Sequence, residues 1–450
     1  MISTTFSPGT LITAPWLQSV NDFVYRKNYV EAEELGAIGN DVADDGATIS
    51  NALYLRYNGL ATSQRQTYVY VVFNPEKTYK FITPVTIRQN RIKFIGHGAT
   101  IHCTGAFAFD FTQDGSGNSN EDGAVIGFKI TGATTTAIRV RAGNQPEIRD
   151  NWITGCVNGL DINAVTPRIH NNYIRDNTGI GLILQSAVLV GGSVGESQAA
   201  FITNNRFTGN LGGGWHFIDG VGHVCVGNLL EVNGLIEMRL QNASGCMIYE
   251  TYFEPKVGCQ AVIQIDNTPA LLPGTRFADE NNFNGLFLGG NAVWDIDVQG
   301  GNNNVFDKYR LGTRNVRINA ACNNTYLGKS IGNFPILTNG ASSTILRYDS
   351  SKLGSIKSIS SGTTLGNNRS GFVDITGAAT TTAVVTFTVN EPDAAYFVTG
   401  LVTGKLAGTP ASGSYRAHLS TFPTTTGFTI ELEAAPGAGN TVRVWWAIER

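Results

Sequence analysis

In the stretch "NLLEVNGLIEMRLQNASGCMIYETYFEP", Glu231 follows Leu-Leu and Glu254 follows Tyr-Phe, a step of 23 residues. Paired carboxyl groups are the working parts of glycoside hydrolysis. One protonates the leaving oxygen, and the other attacks the sugar or activates water. A separation near ~5 Å supports retention of configuration, and roughly 6.5–9.5 Å supports inversion. If the backbone returns to one place at that step, strands about 4.8 Å apart make the two acids neighbours. Like charges so placed push one carboxyl pKa up, which supplies a proton donor at neutral pH. They also cost stability unless a cation compensates. Arg239 or Arg206 could be that cation, in which case the pair is structural. Asp266 with Asp295 or Asp297 forms a second candidate pair, and Glu237 is a further candidate acid.

These acids need a scaffold that repeats. An Asn-led word returns as "NWI" at 151, "NYI" at 172, "NRF" at 205, "NLL" at 228, "TYF" at 251, "NF" at 282, "NVF" at 304 and "NTY" at 324, mostly in steps of 20 to 23 residues. Two longer steps hold the turn-rich inserts "LVGGSVGESQAA" and "NTPALLPG". A second strand-like run follows in each unit: "GLDIN", "GLILQ", "WHFID", "IEMRLQ", "AVIQID", "VWDIDVQ", "VRIN". These runs alternate apolar and polar residues, the period of a strand buried on one face. A unit this short cannot bury its apolar face alone, but stacked units can. The pattern predicts an all-β chain built as a right-handed parallel β-helix, with asparagine at a corner that tolerates left-handed backbone.

Stacking predicts outward ladders. On the first-strand face they run Thr154, Arg175, Thr208, Glu231, Glu254, Asn284 and Asp307, beside Trp152, Tyr173, Arg206, Leu229 and Tyr252. On the second-strand face they run Asp161, Ile183, His216, Glu237 with Arg239, Gln264 with Asp266, Asp295 with Asp297, and Arg317 with Asn319. Exposed rings beside acids and amides suit a sugar chain. Tyr252, Trp152, Tyr173, His216, Arg239 and Gln264 are the expected substrate contacts.

Composition narrows the classes. Charged residues are 15% of the chain and the net charge is −3, so there is no footprint for nucleic acid. The 53 glycines and 10% aromatics fit short strands joined by tight turns. The six cysteines form no CxxC pair and no zinc spacing, and read as buried free thiols made in a reducing compartment. "MISTTFSPGTLITAPWL" lacks the pattern of a signal peptide, and there is no apolar run long enough for membrane insertion.

Residues 35–53, "LGAIGNDVADDGATISNAL", resemble the opening segment of pectate-lyase-superfamily β-helices in bacteriophage tailspikes. Gly36-Ala37, Gly39, Asp41, Asp44-Asp45, Ile49 and Ala52-Leu53 match. Asn40 and Gly46-Ala47 depart from the pattern. Asp44 or Asp45 can N-cap a helix near 45–57 that plugs the open end of the solenoid. The expected organisation is a linker or virion-proximal segment over 1–34, a parallel β-helix over 35–345, a linker over 346–370, and a small β-sandwich-like domain over 371–450. In that last part, Trp445–Trp446 suits an interface or sugar platform, with one ring in the core.

The resemblance implies a homotrimeric tailspike in the virion tail, made in the host cytoplasm and joined to other virion tail proteins. It would act at the bacterial cell surface on capsule or O-antigen polysaccharide. Endo-glycosidic hydrolysis by the carboxylate pair needs no cofactor. The alternatives are a polysaccharide lyase acting on an acidic glycan, a non-catalytic host-binding fibre, and a deacetylating or structural β-helix. "RIKFIGHG" (91–98) contains polygalacturonase-like words in the wrong order and place, so His97 reads as a turn residue. "VWDID" (293–297) lacks the histidine of its pectate-lyase counterpart. Asp266, Asp295 and Asp297 with Arg317 could imitate a calcium-dependent site.

Overall fold

The computed structural model describes residues 29–57, 68–112, 120–188, 194–195, 197–267, 278–313, 315–319, 322–328, 336–339 and 343–346, and, near the C-terminus, 370–377, 382–386, 397–407, 417–420, 427–433 and 437–449. The expected N-terminal segment lies outside these residues up to position 28, and so does the linker as far as 369.

The alternating runs form a parallel β-helix with three strands per coil. Face one is a 14-stranded sheet that begins at Tyr29–Glu31, face two is a 10-stranded sheet from Asn40–Asp44 to Phe287–Leu288, and face three is a 12-stranded sheet from Val85–Ile87 to Ile336–Asn339. Each strand pairs in parallel with the same slot of the next coil. On face two, Ile153, Ile174, Phe207, Leu230, Phe253 and Leu288 form one inward column. All six are buried. Burying each such side chain favours folding by about 1.5–3 kcal/mol.

Most corners are sharpened by a residue with positive φ. Between faces one and two this column runs Gly127, Asp150, Asn171, Asn204, Gly227 and Glu250. His97 heads it with φ 51°, as a turn residue. The left-handed residue is therefore the one before each repeated asparagine. The asparagines themselves turn inward and bond along the stack. The Asn172 carboxamide oxygen accepts from the Asn151 backbone N–H at 3.1 Å and from its side-chain nitrogen at 3.0 Å. Asn205 does the same for Asn172, and Asn228 for Asn205. A second ladder, Asn177–Asn210–Asn233, lines the corner between faces two and three.

The repeated word changes corner after Thr251. Asn282 and Asn284 lie on face one, paired with Met247 and Tyr249, and Asp307 pairs with Asn284 there. Asn284 and Asp307 thus leave the predicted ladder of Glu231 and Glu254. The slot above Tyr252 belongs to Phe287. The miscount arose because the second insert sits at the corner between faces three and one. Its residues 268–277 lie outside the described ones. In the first insert, Ala187–Val188 and Val194–Gly195 pair as an antiparallel ribbon.

The helix Asp45–Tyr57 closes one end, with Ile49 and Leu53 fully buried. Asp44 accepts from Ala47 N–H inside the helix and from Ile82 and Thr83 N–H of the first coil. Asp45, 1% exposed, accepts from Ile38, Gly39 and Lys80 N–H. The acidic pair therefore ties the cap to the stack.

Near the C-terminus two three-stranded antiparallel sheets face each other. Val385, Phe428, Ile430 and Leu432 from one pack with Val442, Val444 and Trp446 from the other. Trp446 meets Phe428 edge-on at 5.1 Å and is the core ring of the tryptophan pair. The six cysteines are free and buried in the β-helix.

Candidate functional site

The predicted site residues fall on two different faces. Trp152, Tyr173, Glu231, Tyr252 and Glu254 are on face two. His216, Arg239, Gln264, Asp266 and Asp297 are on face three. Glu237 and Asp295 are on neither surface.

Glu231 and Glu254 are register partners on consecutive coils, with inward Leu230 opposite inward Phe253 beside them. Glu231 is 18% exposed along its side chain. One of its oxygens, Oε2, accepts from Arg206 Nη2 at 2.8 Å, from Arg206 Nε at 3.1 Å and from Thr208 Oγ1 at 3.3 Å. Arg206 is thus the compensating cation. Arg239 lies on face three and pairs with Asp266 instead. Glu254 is exposed, and its Oε2 accepts from the Tyr252 hydroxyl at 2.9 Å. That bond raises the Tyr252 phenol pKa. Among the described residues, Oε1 of each glutamate has no hydrogen-bond donor from the chain.

Beside the acids runs a stripe of rings and cations: Trp152, Tyr173, Arg206, Leu229, Tyr252, Phe287 and Arg310, each one coil above the last. Trp152 is 44% exposed and meets Tyr173 edge-on at 4.7 Å. The Arg206 guanidinium lies 5.1 Å from the Tyr173 ring centre. Tyr252 and Phe287 stack at 4.8 Å. Phe287 and Arg310 are rungs that the sequence reading missed, because the repeat was miscounted at the second insert. From Trp152 to Tyr252 is four coils, or about 19 Å at the usual strand spacing. At the far end Tyr252, Glu254, Phe287 and Arg310 border an open depression of about 360 Å³.

Face three is charged but self-contained. Asp110 is bound by Arg139 through two bonds of 2.7 Å. Asp161 is bound by Arg141, with Gln185 donating at 2.6 Å. Asp266, 3% exposed, accepts from Arg239 Nε at 2.7 Å. Asp297, 1% exposed, takes two bonds of 2.6 Å from Arg317 and further bonds from Gln264 and Gln299. Asp297 is in register with Gln264, so Asp266 and Asp297 stand diagonally, not opposite. His216 Nε2 is 2.9 Å from Gln241 Oε1, and burial, with Arg239 beside it, lowers the imidazole pKa. These acids are consumed by neighbouring cations and amides.

Glu237 and Asp295 were expected to point outward, and both are fully buried. They occupy the first inward slot after the corner, the slot that holds Ala137 and Gly214 in earlier coils. Alternation fails there because the chain is still turning. Glu237 ends the second asparagine ladder. Its carboxylate accepts from the Asn233 backbone N–H at 2.9 Å and from the Asn233 side chain at 2.6 Å. Burial pushes its pKa up to about 7. Among the described residues no group of three or more His, Cys, Asp or Glu side chains is placed to hold a metal ion.

No protein-family model and no curated protein matches the chain. Solved structures do match in fold. The ORF18 protein of Geobacillus virus E2 superposes with a TM-score of 0.54 at 16% identity, over 93% of this chain and 79% of that one. DFA-IIIase from Arthrobacter chlorophenolicus A6, without its lid and in complex with GF2, gives 0.55 at 14% identity, over 71% of this chain and 94% of its own. At such identities the likeness is one of fold. Among the described residues no helix is long and apolar enough to cross a membrane.

Proposed function

We propose that the chain binds and depolymerises a bacterial surface polysaccharide, capsule or O-antigen, along face two. The observation that carries this reading is the register pair Glu231–Glu254 beside the aromatic stripe. Each acid keeps one oxygen clear of chain donors among the described residues. A glycan lying along the helix axis would stack on Trp152, Tyr173, Tyr252 and Phe287, with its hydroxyls on the acids.

Glu254 is assigned as the donor of a proton to the glycosidic oxygen. Glu231, held by Arg206 and Thr208, is assigned as the carboxylate that attacks or steadies the anomeric carbon. The bond from that carbon to the leaving oxygen breaks, and water completes the cleavage. Strand spacing of about 4.8 Å fits the shorter of the two carboxyl separations and so favours retention. The fold shared with a viral ORF18 protein and with DFA-IIIase bound to GF2 supports a place in a phage particle and a glycan ligand. The tailspike-like segment at 35–53 adds a homotrimer to the proposal.

The test is digestion of purified capsular and O-antigen polysaccharides with mass analysis of the products. Reducing ends without an unsaturated sugar are expected. E231Q and E254Q should each lower their release by about a hundredfold or more. Wild-type release from both variants removes the pair from the mechanism. A second reading, glycan binding without cleavage, is favoured by the Arg206 clamp on Glu231. It predicts retention of polysaccharide with no new reducing ends.

A further inference from the structure

Resting on that reading, we infer that the depression beyond Glu254 takes a sugar bearing a carboxylate, bound by Arg310. Two arginines sit in the ring stripe, and each lies against an aromatic face. Arg206 is 5.1 Å from the Tyr173 ring centre, and Arg310 is 4.7 Å from that of Phe287. Arg206 gives its Nε and Nη2 hydrogen bonds to Glu231. Arg310 is exposed and has no carboxylate within 4.0 Å among the described residues. The adjacent acid, Glu254, accepts from the Tyr252 hydroxyl through Oε2.

The acid column explains why there is room. It runs Thr208, Glu231, Glu254, and its next slots are glycines, Gly289 and then Gly312. A Cβ at Gly312 would lie 2.9 Å from the Gly289 and Gly290 backbone, so these coils pack too closely for a side chain. The result is the open space of about 360 Å³ bordered by Tyr252, Glu254, Phe287 and Arg310. A flat guanidinium fixed on a ring offers two parallel N–H bonds to a carboxylate, with no protein acid to displace. The stacked Tyr252–Phe287 pair offers the sugar an apolar wall, and Glu254 offers acceptors for its hydroxyls. A neutral sugar would leave the guanidinium without a counter-charge.

The experiment uses uronate-bearing capsular and O-antigen polysaccharides, each paired with the same polymer after carbodiimide activation and borohydride reduction. Reduction turns the carboxylate into a hydroxymethyl group and leaves the linkages intact. Binding of the full chain is measured by affinity electrophoresis. Wild type should bind at least one acidic polymer about tenfold or more tighter than its reduced partner. R310Q should bring the two within about twofold, and R310K should keep part of the preference. R310Q changes an exposed side chain, and binding of the reduced polymer by the variant controls for its folding. Equal binding of each pair by wild type overturns this inference alone, as does an R310Q variant that keeps the preference. Failure to bind any polymer of either kind overturns the glycan reading as well.

Discussion

Removing the charge of Glu237 should reverse a pH-dependent weakness of the β-helix. Its carboxyl is fully buried at the end of the Asn177–Asn210–Asn233 ladder, and burial lifts its pKa from 4.5 to about 7. Between those values the folded chain holds a proton that the unfolded chain has released. Stability therefore falls as pH rises through this window. The group's full favourable contribution is present below 4.5 and is lost by a little above pH 7. Taking 1.36 kcal/mol for each pH unit between 4.5 and about 7, the loss is about 3 kcal/mol. The bonds from Asn233 hold the anion in place but do not offset its desolvation.

In E237Q this titration is gone. A long chain that aggregates on unfolding is best read through its unfolding rate. The assay is the rate of loss of far-ultraviolet signal in fixed urea, from pH 4 to pH 8.5, for wild type and E237Q. The ratio of the two rates removes the titrations they share. It should be flat below pH 4.5. It should then change steadily up to about pH 7, with wild type unfolding faster by as much as a hundredfold if the ladder end is unformed in the transition state. A constant offset between the proteins is compatible with lost or altered bonds to Asn233. A ratio that stays flat across the whole range, for refolding as well as for unfolding, refutes the claim that Glu237 is a buried, titrating ladder end.

Val232 is a β-branched residue held at φ 54° in a column that elsewhere carries Gly155, Asp176 and Gly209. V232G should raise stability by about 1 kcal/mol, measured as slower unfolding in urea, because the relief of strain exceeds the entropy cost of glycine. N205A strips the Asn172 backbone and side-chain donors of their acceptor and leaves the Ile169 carbonyl without its 2.8 Å donor. A loss of about 3 kcal/mol or more should appear as a lower thermal midpoint. Burial holds the thiols of Cys103, Cys246 and Cys259 up at about 12 and those of Cys156 and Cys322 at about 11. The native protein should not react with a thiol-specific disulfide reagent at pH 8, and in denaturant all six cysteines should react.

The parts of this fold that were legible from the sequence are those in which one residue type serves one local purpose. Asp44 and Asp45 start the helix Asp45–Tyr57 and accept backbone donors across the first coil, and both tasks need a carboxylate at that point. The step between Leu230 and Phe253 fixes Glu231 against Glu254, because inward neighbours force the acids outward together. Legibility ends at the corners. Alternation describes a strand but not a chain still turning, so Glu237 and Asp295 read as outward and are buried. The small residues Ala137 and Gly214 in the same slot carried the warning, since a surface position does not require them. The asparagines misled for a related reason. Three corners use the same side chain, so Asn304 looks like Asn228 although it bonds Asn281 at a different corner.

Face three shows how far charge alone falls short of marking a site. Face three holds Asp110, Asp161, Asp266 and Asp297, and each is tied to an arginine, three of them at 2.6–2.7 Å. Groups bound this way brace the sheet and have little left to give a ligand, because breaking such a nearly buried pair leaves an uncompensated charge. On face two, Glu254 and Arg310 remain outside any ion pair among the described residues, next to stacked rings and open space. A site is marked by polar groups that the fold has positioned without consuming. By that measure the chemistry proposed for this chain is best placed at the end of the aromatic stripe, where the acid column gives way to glycine.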